Sequence, residues 1–370
     1  MNIPFVDLKT QYQSLKTEID EAIARVIADT AFIGNLNNKY VKAFEDQFAA
    51  YVGTSQCVAC ANGTDSLEIL LRAAGVGPGD EVIVPSVSWI ATSEAITNIG
   101  ATPVFADITP DTYTLCPEDF ARKVTPRTKA VIPVHLYGLP AEMDAIMETA
   151  RRHNLFVLED CAQAHGASYQ GRTVGTIGHA GSFSFFPGKN LGAYGDAGGM
   201  VTNDVDLAAR ARMISQHGQS KAKHDHQIEG RNSRMDGLQA AILSAKLPHL
   251  RSWTELRRSH AAHYRHKLQA VGFATQAEPA HSRHAYHLFT IRVNHREALL
   301  QRLQQAGVNA AVQYPHALPM LTAYRRFGHT AQDFPVGVAL TASVISLPLY
   351  PELTVEMLDH VIAQVISANH

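Results

Sequence analysis

From about residue 55 the chain alternates short, nearly uninterrupted apolar runs with stretches of helical periodicity. The runs QCVACA, EVIVPS, TPVFADI, KAVIPVHLYG, LFVLED, GSFSFF and GMVTND have strand length, and their lack of polar alternation predicts burial on both faces. Between the earlier runs, TDSLEILLRAAG puts Leu67, Leu70, Leu71 and Ala74 on one helical face and stops at Gly75. SWIATSEAITNIG and AEMDAIMETARRHN follow the same rule. Such alternation has few solutions, and the simplest is an α/β fold: a mostly parallel sheet covered by helices on both faces. Ligands of such sheets sit at the carboxyl ends of the strands. Around MDGLQAAILSAKLPHLRSW a long helix begins, with Leu238, Ile242 and Ala245 on one side and Pro248 as an interruption. Beyond it the pattern becomes helix, strand, helix, with HLFTIRV and ASVISLPLY as strands. We therefore expect a large α/β domain with an N-terminal segment over residues 1–250 and a smaller α+β domain over 251–370.

Bulk properties narrow the class. The 370 residues are 46% hydrophobic and 18% charged, which supplies a sizeable core and argues against disorder. A formal charge of −2 argues against nucleic-acid binding by charge alone. No basic, apolar leader opens the chain, and no apolar run approaches the roughly 20 residues of a membrane span, so a cytoplasmic protein without membrane contact is expected. Cys57, Cys60, Cys116 and Cys161 are too few for a disulfide framework. CVAC is formally C-x-x-C, but it lies inside an apolar run and reads as buried strand.

The strand ends carry the chemistry. NGTDS, Asn62 to Ser66, follows a strand and opens a helix, where free N–H groups and the positive dipole end favour an anion. Gly63 allows close backbone approach there, although an ordinary helix start capped by Asn62 or Thr64 fits the same residues. FVLEDCAQAHGA ends a strand on Glu159 and Asp160, and a buried acid needs a partner, either a core contact or a protonated ring nitrogen. Trp89, at another strand end, suits either the core or an aromatic ligand. SFSFFPGKNLGAYGDAGG sets Lys189 between an aromatic strand and a glycine-rich loop, with Ser184 nearby. Together these features describe one ligand, a planar phosphorylated pyridine aldehyde: pyridoxal phosphate, held by a phosphate cradle, a carboxylate, a flat face and a Schiff-base lysine.

The chain resembles the DegT/DnrJ/EryC1/StrS sugar aminotransferases, within the fold-type I pyridoxal phosphate enzymes. The resemblance runs nearly end to end, through IPFVDLKTQY, NGTDSLEILLRAAGVGPGDEVIVPS, EDCAQAHGA, SFFPGKNLGAYGDAGG, GRNSRMDGLQAAIL, HAYHLFTIRV and SLPLYPELT. It implies that Lys189 forms the Schiff base and shuttles protons, and that Asp160 keeps the pyridine nitrogen protonated. It further implies Gln163 near the ring oxygen, Trp89 on the ring, and Ser184 with the backbone of Gly63, Thr64 and Asp65 at the phosphate. Asn232 would reach the phosphate of a neighbouring subunit, so that the active site belongs to a homodimer. Arg234 is either structural or directed at a sugar nucleotide. L-Glutamate is the usual donor, and the acceptors are nucleotide-linked keto sugars. PGKNLGAYGDAGG resembles the group acting at C3, with Tyr194 a sugar contact or a packed loop aromatic. A 4-keto sugar or a UDP-3-keto-uronate is the alternative. The chain departs from the family in FIGNLNNKYVKAFE, at Ala197, and in QYPHALPML, where Tyr314 and His316 stand toward the sugar; these departures bear on the substrate rather than the cofactor.

Rival readings fare less well. Sugar dehydratases of this fold carry histidine in place of Lys189, and a dinucleotide enzyme would show G-x-G-x-x-G after its first strand. Intact Lys189, Asp160 and Ser184 argue against a cofactor-binding regulator without turnover. No metal-ligand cluster is expected. His260, His263 and His266, beside Arg257 and Arg258, read as a solvated helix face, and KHDHQ as a polar loop.

Overall fold

The computed structural model describes residues 1–34, 38–220 and 224–367. Residues 35–37 of FIGNLNNKYVKAFE and Lys223 of KHDHQ lie outside them.

The apolar runs form one seven-stranded sheet: β1 (Gln56–Cys60), β2 (Glu81–Pro85), β3 (Thr102–Ala106), β4 (Thr128–Val131), β5 (Phe156–Asp160), β6 (Ala180–Ser184) and β7 (Gly198–Thr202), in the order β1-β7-β6-β5-β4-β2-β3. β3, β2, β4, β5 and β6 pair in parallel; β7 runs antiparallel to both β6 and β1. Successive side chains feed opposite faces, as pleating requires. Val58, Cys60, Val82, Val84 and Leu158 pack with the helices Gly63–Ala73, Ala91–Asn98 and Val205–Ser215. Cys57, Ala59, Phe183 and Val201 meet the helices Lys39–Val52 and Gly237–Lys246, while Ile83, Val131 and Val157 meet Pro117–Lys123 and Met143–His153. Both faces are thus covered, which is why these strands carry no polar alternation. Cys57 and Cys60 are buried free thiols within β1.

The long helix breaks where Pro248 predicts. Gly237–Lys246 passes through a 3-10 turn, Leu247–His249, into the 20-residue helix Leu250–Gln269. Beyond it, β8 (Ala274–Thr275), β9 (Phe289–Arg292) and β10 (Val344–Leu347) form a small antiparallel sheet. Its core joins Ala261, Tyr264 and Leu268 to the C-terminal helix Val355–Ser367. Ile3 is fully buried in that same core and bridges to Val308, so the first residues pack with the C-terminal part. No helix among the described residues is long and apolar enough to cross a membrane.

Candidate active site

The carboxyl ends of β1, β2, β4, β5 and β6 gather at one edge of the sheet, where a cavity of about 540 Å³ opens. Its wall includes Asn62, Gly63, Thr64, Trp89, Asp160, Gln163, Ser184, Lys189 and Tyr314.

At the end of β1 the chain turns directly into the helix Gly63–Ala73. The Asn62 side chain caps it, accepting the Asp65 N–H at 2.8 Å. The Gly63 and Thr64 N–H groups precede the first intrahelical bond and stay free for an anion. A Cβ on Gly63 would stand 2.7 Å from the Ser184 Cβ, so only glycine lets the helix start meet the end of β6. Asp65 itself is off the cavity wall. Its N–H serves the cap, and its carboxylate pairs with Arg231 at 2.9 Å, beside an Arg231–Glu68 pair at 2.6 Å.

The acids at the end of β5 separate by strand alternation. Glu159 is fully buried and accepts from His135 Nε2 (2.9 Å) and from the N–H groups of Gly175, Ile177 and Gly178 at 2.6–2.8 Å. His135 Nδ1 accepts the Ala141 N–H, which leaves the proton on Nε2. Cys161 completes a buried trio with these two, but every group is bonded within the protein and the cluster is structural. Asp160 instead faces the cavity. It accepts from Thr92 Oγ1 at 2.9 Å and the Ala162 N–H at 3.1 Å, and no cation lies within ion-pair distance among the described residues. Burial raises its pKa, against the pull of these two hydrogen bonds and the charge of Lys189.

Lys189 sits in the loop between β6 and β7, its Nζ without a hydrogen bond among the described residues. Burial lowers its pKa from 10.5 to about 8, with Asp160 opposing, so a useful share of neutral amine exists near physiological pH. Gln163 is held from both ends: its Oε1 accepts the Tyr137 N–H at 2.6 Å and its Nε2 donates to the Tyr314 hydroxyl at 2.9 Å. The ring of Tyr314 packs against exposed Trp89 at 5.7 Å, which forms an aromatic wall.

Besides Asp65, the structure leaves four sequence candidates off this wall. Tyr194 packs edge-on to Tyr12 at 6.2 Å, under Lys246, with its hydroxyl buried and unpartnered, in keeping with the loop-aromatic alternative. His316 is exposed, and Asn232 is exposed on the segment that Arg231 docks against the helix Gly63–Ala73. Arg234 is partly buried and likewise off the wall. Conversely, Thr92, Phe186, His287, Gln313 and Arg257 line the cavity without having been singled out for it. Arg257 corrects the reading of its helix face as solvated: it is 4% exposed. His263 and His260 on that helix do reach the surface, bonded to Asp359 (2.7 Å) and the Pro351 carbonyl (3.2 Å).

A free anion cradle, an uncompensated buried carboxylate, an aromatic wall and a partly neutral lysine on one cavity fit pyridoxal phosphate: a phosphate, a pyridinium, a flat ring and an aldehyde. That is the class of site a pyridoxal phosphate enzyme needs. Comparison with known proteins agrees. The model of the DegT/DnrJ/EryC1/StrS aminotransferase family matches residues 13–366. A pleiotropic regulatory protein of Geobacillus stearothermophilus is 45% identical over 99% of this chain and 98% of its own. The UDP-N-acetyl-3-dehydro-alpha-D-glucosamine 3-aminotransferase of Acidithiobacillus ferrooxidans is 44% identical over 97% of this chain and 96% of its own. The crystal structure of DesV from S. venezuelae superposes with a TM-score of 0.96 at 41% identity, covering 100% of this chain and 99% of that one. The chain belongs to the DegT/DnrJ/EryC1/StrS aminotransferase family, with the fold-type I architecture, and its cofactor is pyridoxal phosphate.

Proposed function

We propose that this aminotransferase transfers an amino group from L-glutamate to the C3 keto group of a nucleotide-linked hexose. The observation that carries the reading is the meeting of Lys189, Asp160 and the Gly63–Ser184 cradle on one cavity. Pyridoxal phosphate, when bound, supplies an aldehyde for amines and a ring that draws electrons from the bond being broken. The chain's own residues do the rest. Gly63, Thr64 and Ser184 would hold the phosphate, and Trp89 the ring face. Asp160 would keep a proton on the pyridine nitrogen, and that positive partner offsets the burial that raises its own pKa. Gln163, fixed by Tyr137 and Tyr314, would orient the ring oxygen. Lys189, once free, would take a proton from the donor carbon and return one to the acceptor, which requires an amine that is not permanently charged. Donor and acceptor would use the site in turn.

The preference for C3 rests on the loop PGKNLGAYGDAGG and on the activity for which the Acidithiobacillus relative is named. A homodimer with shared sites belongs to the same reading. Asn232, Trp89 and Phe186 are all exposed, the latter two on the cavity wall, where a second copy would cover them. A cytoplasmic setting is in keeping with the free cysteines. The regulatory name of the Geobacillus relative favours one alternative, a cofactor-binding regulator without turnover. The test is the absorbance of the loaded protein before and after L-glutamate, followed by 3-keto and 4-keto nucleotide sugars. Conversion by glutamate and reversal by a 3-keto sugar supports the reading. Reversal by 4-keto sugars alone moves the site of amination, and a band indifferent to every amino donor leaves the regulator.

A further inference from the structure

Among the described residues two cations stand on the cavity wall, Lys189 and Arg257, and only the first has a task in the account above. Arg257 comes from the helix Leu250–Gln269 and is 4% exposed. Its Nη1 donates to the carbonyls of Leu349 (2.6 Å), Tyr286 (3.3 Å) and His287 (3.4 Å). Its Nε is buried with no partner, and its Nη2 makes no hydrogen bond among the described residues. No carboxylate lies within ion-pair distance among those residues. Glu352 is the acid whose charge reaches it, and burial pushes that acid toward its neutral form. The neighbouring imidazoles offer no counter-charge, because burial lowers His287 well below its ordinary range and His165 to about 3. Burial brings the Arg257 guanidinium down only to about 10, so it stays charged at neutral pH.

An unpaired buried guanidinium is costly, and its planar fork matches a carboxylate in two parallel hydrogen bonds. We propose that Arg257 is the carboxylate anchor of the amino donor, engaging it through Nη2 while the donor's amine lies toward Lys189. The proposal rests on the reading of the site as one that takes an amino-acid donor. It makes Arg257 a binding residue for one half of the reaction and not the other. The keto sugar brings its own anion, a diphosphate, which is the competing occupant.

The test titrates glutarate, a dicarboxylate with no amine, into the cofactor-loaded protein by calorimetry, with UDP as a second probe. Removing a charged hydrogen-bonding partner predicts about tenfold or greater weakening of glutarate by Arg257→Gln, with UDP binding unchanged. Arg257→Lys keeps the charge but loses the fork and falls between; it also serves if the glutamine variant does not fold. The KM for the donor rises and the KM for the keto sugar does not. Unchanged glutarate affinity overturns the proposal, as does loss of UDP binding in its place. A parallel fall in both probes with the melting temperature also overturns it, since that marks a clamp on the three carbonyls. Arg257-dependent glutarate binding in a protein that transaminates nothing would overturn the functional reading and leave the carboxylate site standing.

Discussion

Lys189 and Lys246 are both lowered by burial to about 8, yet they stand in opposite situations. Lys246 is fully buried; its Nζ donates to the Gly192 carbonyl at 2.8 Å and sits 4.2 Å from the Tyr194 ring. It pins the loop that carries Lys189. Lys189 has no such bond and opens onto the cavity beside Asp160. A lowered pKa therefore does not mark the reactive amine: desolvation alone produces it in both places. What separates them is access to a ligand and a facing acid, and the rest of the site repeats the lesson. Glu159 and Asp160 are adjacent buried acids, one saturated by the fold and one left facing the cavity.

The largest effect expected is at Lys189. Lys189→Ala abolishes transamination in a protein that keeps its circular dichroism; turnover at the wild-type rate would break the distinction between the two amines. Next, Asp160→Ala loses about 10²–10³-fold in kcat, the scale of removing one preorganised electrostatic partner, as read in steady-state assays. A third effect follows from protonation. Only the neutral amine adds to an aldehyde, so imine formation on the cofactor-free protein should rise about tenfold per pH unit below about 8 and level off above it. A rate still climbing toward pH 10 would mean an ordinary solvated lysine. The smallest effect is Lys246→Met. It leaves the Gly192 carbonyl without its donor, a loss of about 1–3 kcal/mol partly offset by removing a buried charge, so thermal unfolding shifts modestly while turnover persists. Loss of activity as complete as at Lys189 would erase the contrast.

Much of this was legible in the sequence, for definite reasons. Uninterrupted apolar runs with intervening helices admit little besides a two-sided sheet, and strand ends in such a sheet converge. That convergence brings Asn62, Gly63, Asp160 and Ser184 to one cavity from different motifs. The parallel order was expected from the intervening helices, but its exception was not legible, because an apolar run carries no arrow: within the large sheet β7 runs against both its neighbours. Arg257 was misread because histidines and Arg258 surround it in sequence. A signal existed in the helical spacing: Trp253, Arg257, Ala261, Tyr264 and Leu268 recur at three and four residues and are all buried. Tyr194 could not be assigned from the chain alone, since its neighbours Tyr12 and Lys246 come from distant segments.

The most direct measurement is borohydride reduction of the protein loaded with pyridoxal phosphate, followed by peptide mapping of the fixed label. The account predicts a single labelled residue, Lys189, with none on Lys246. Label on Lys246 or spread over surface lysines, with Lys189 unmodified, would contradict it.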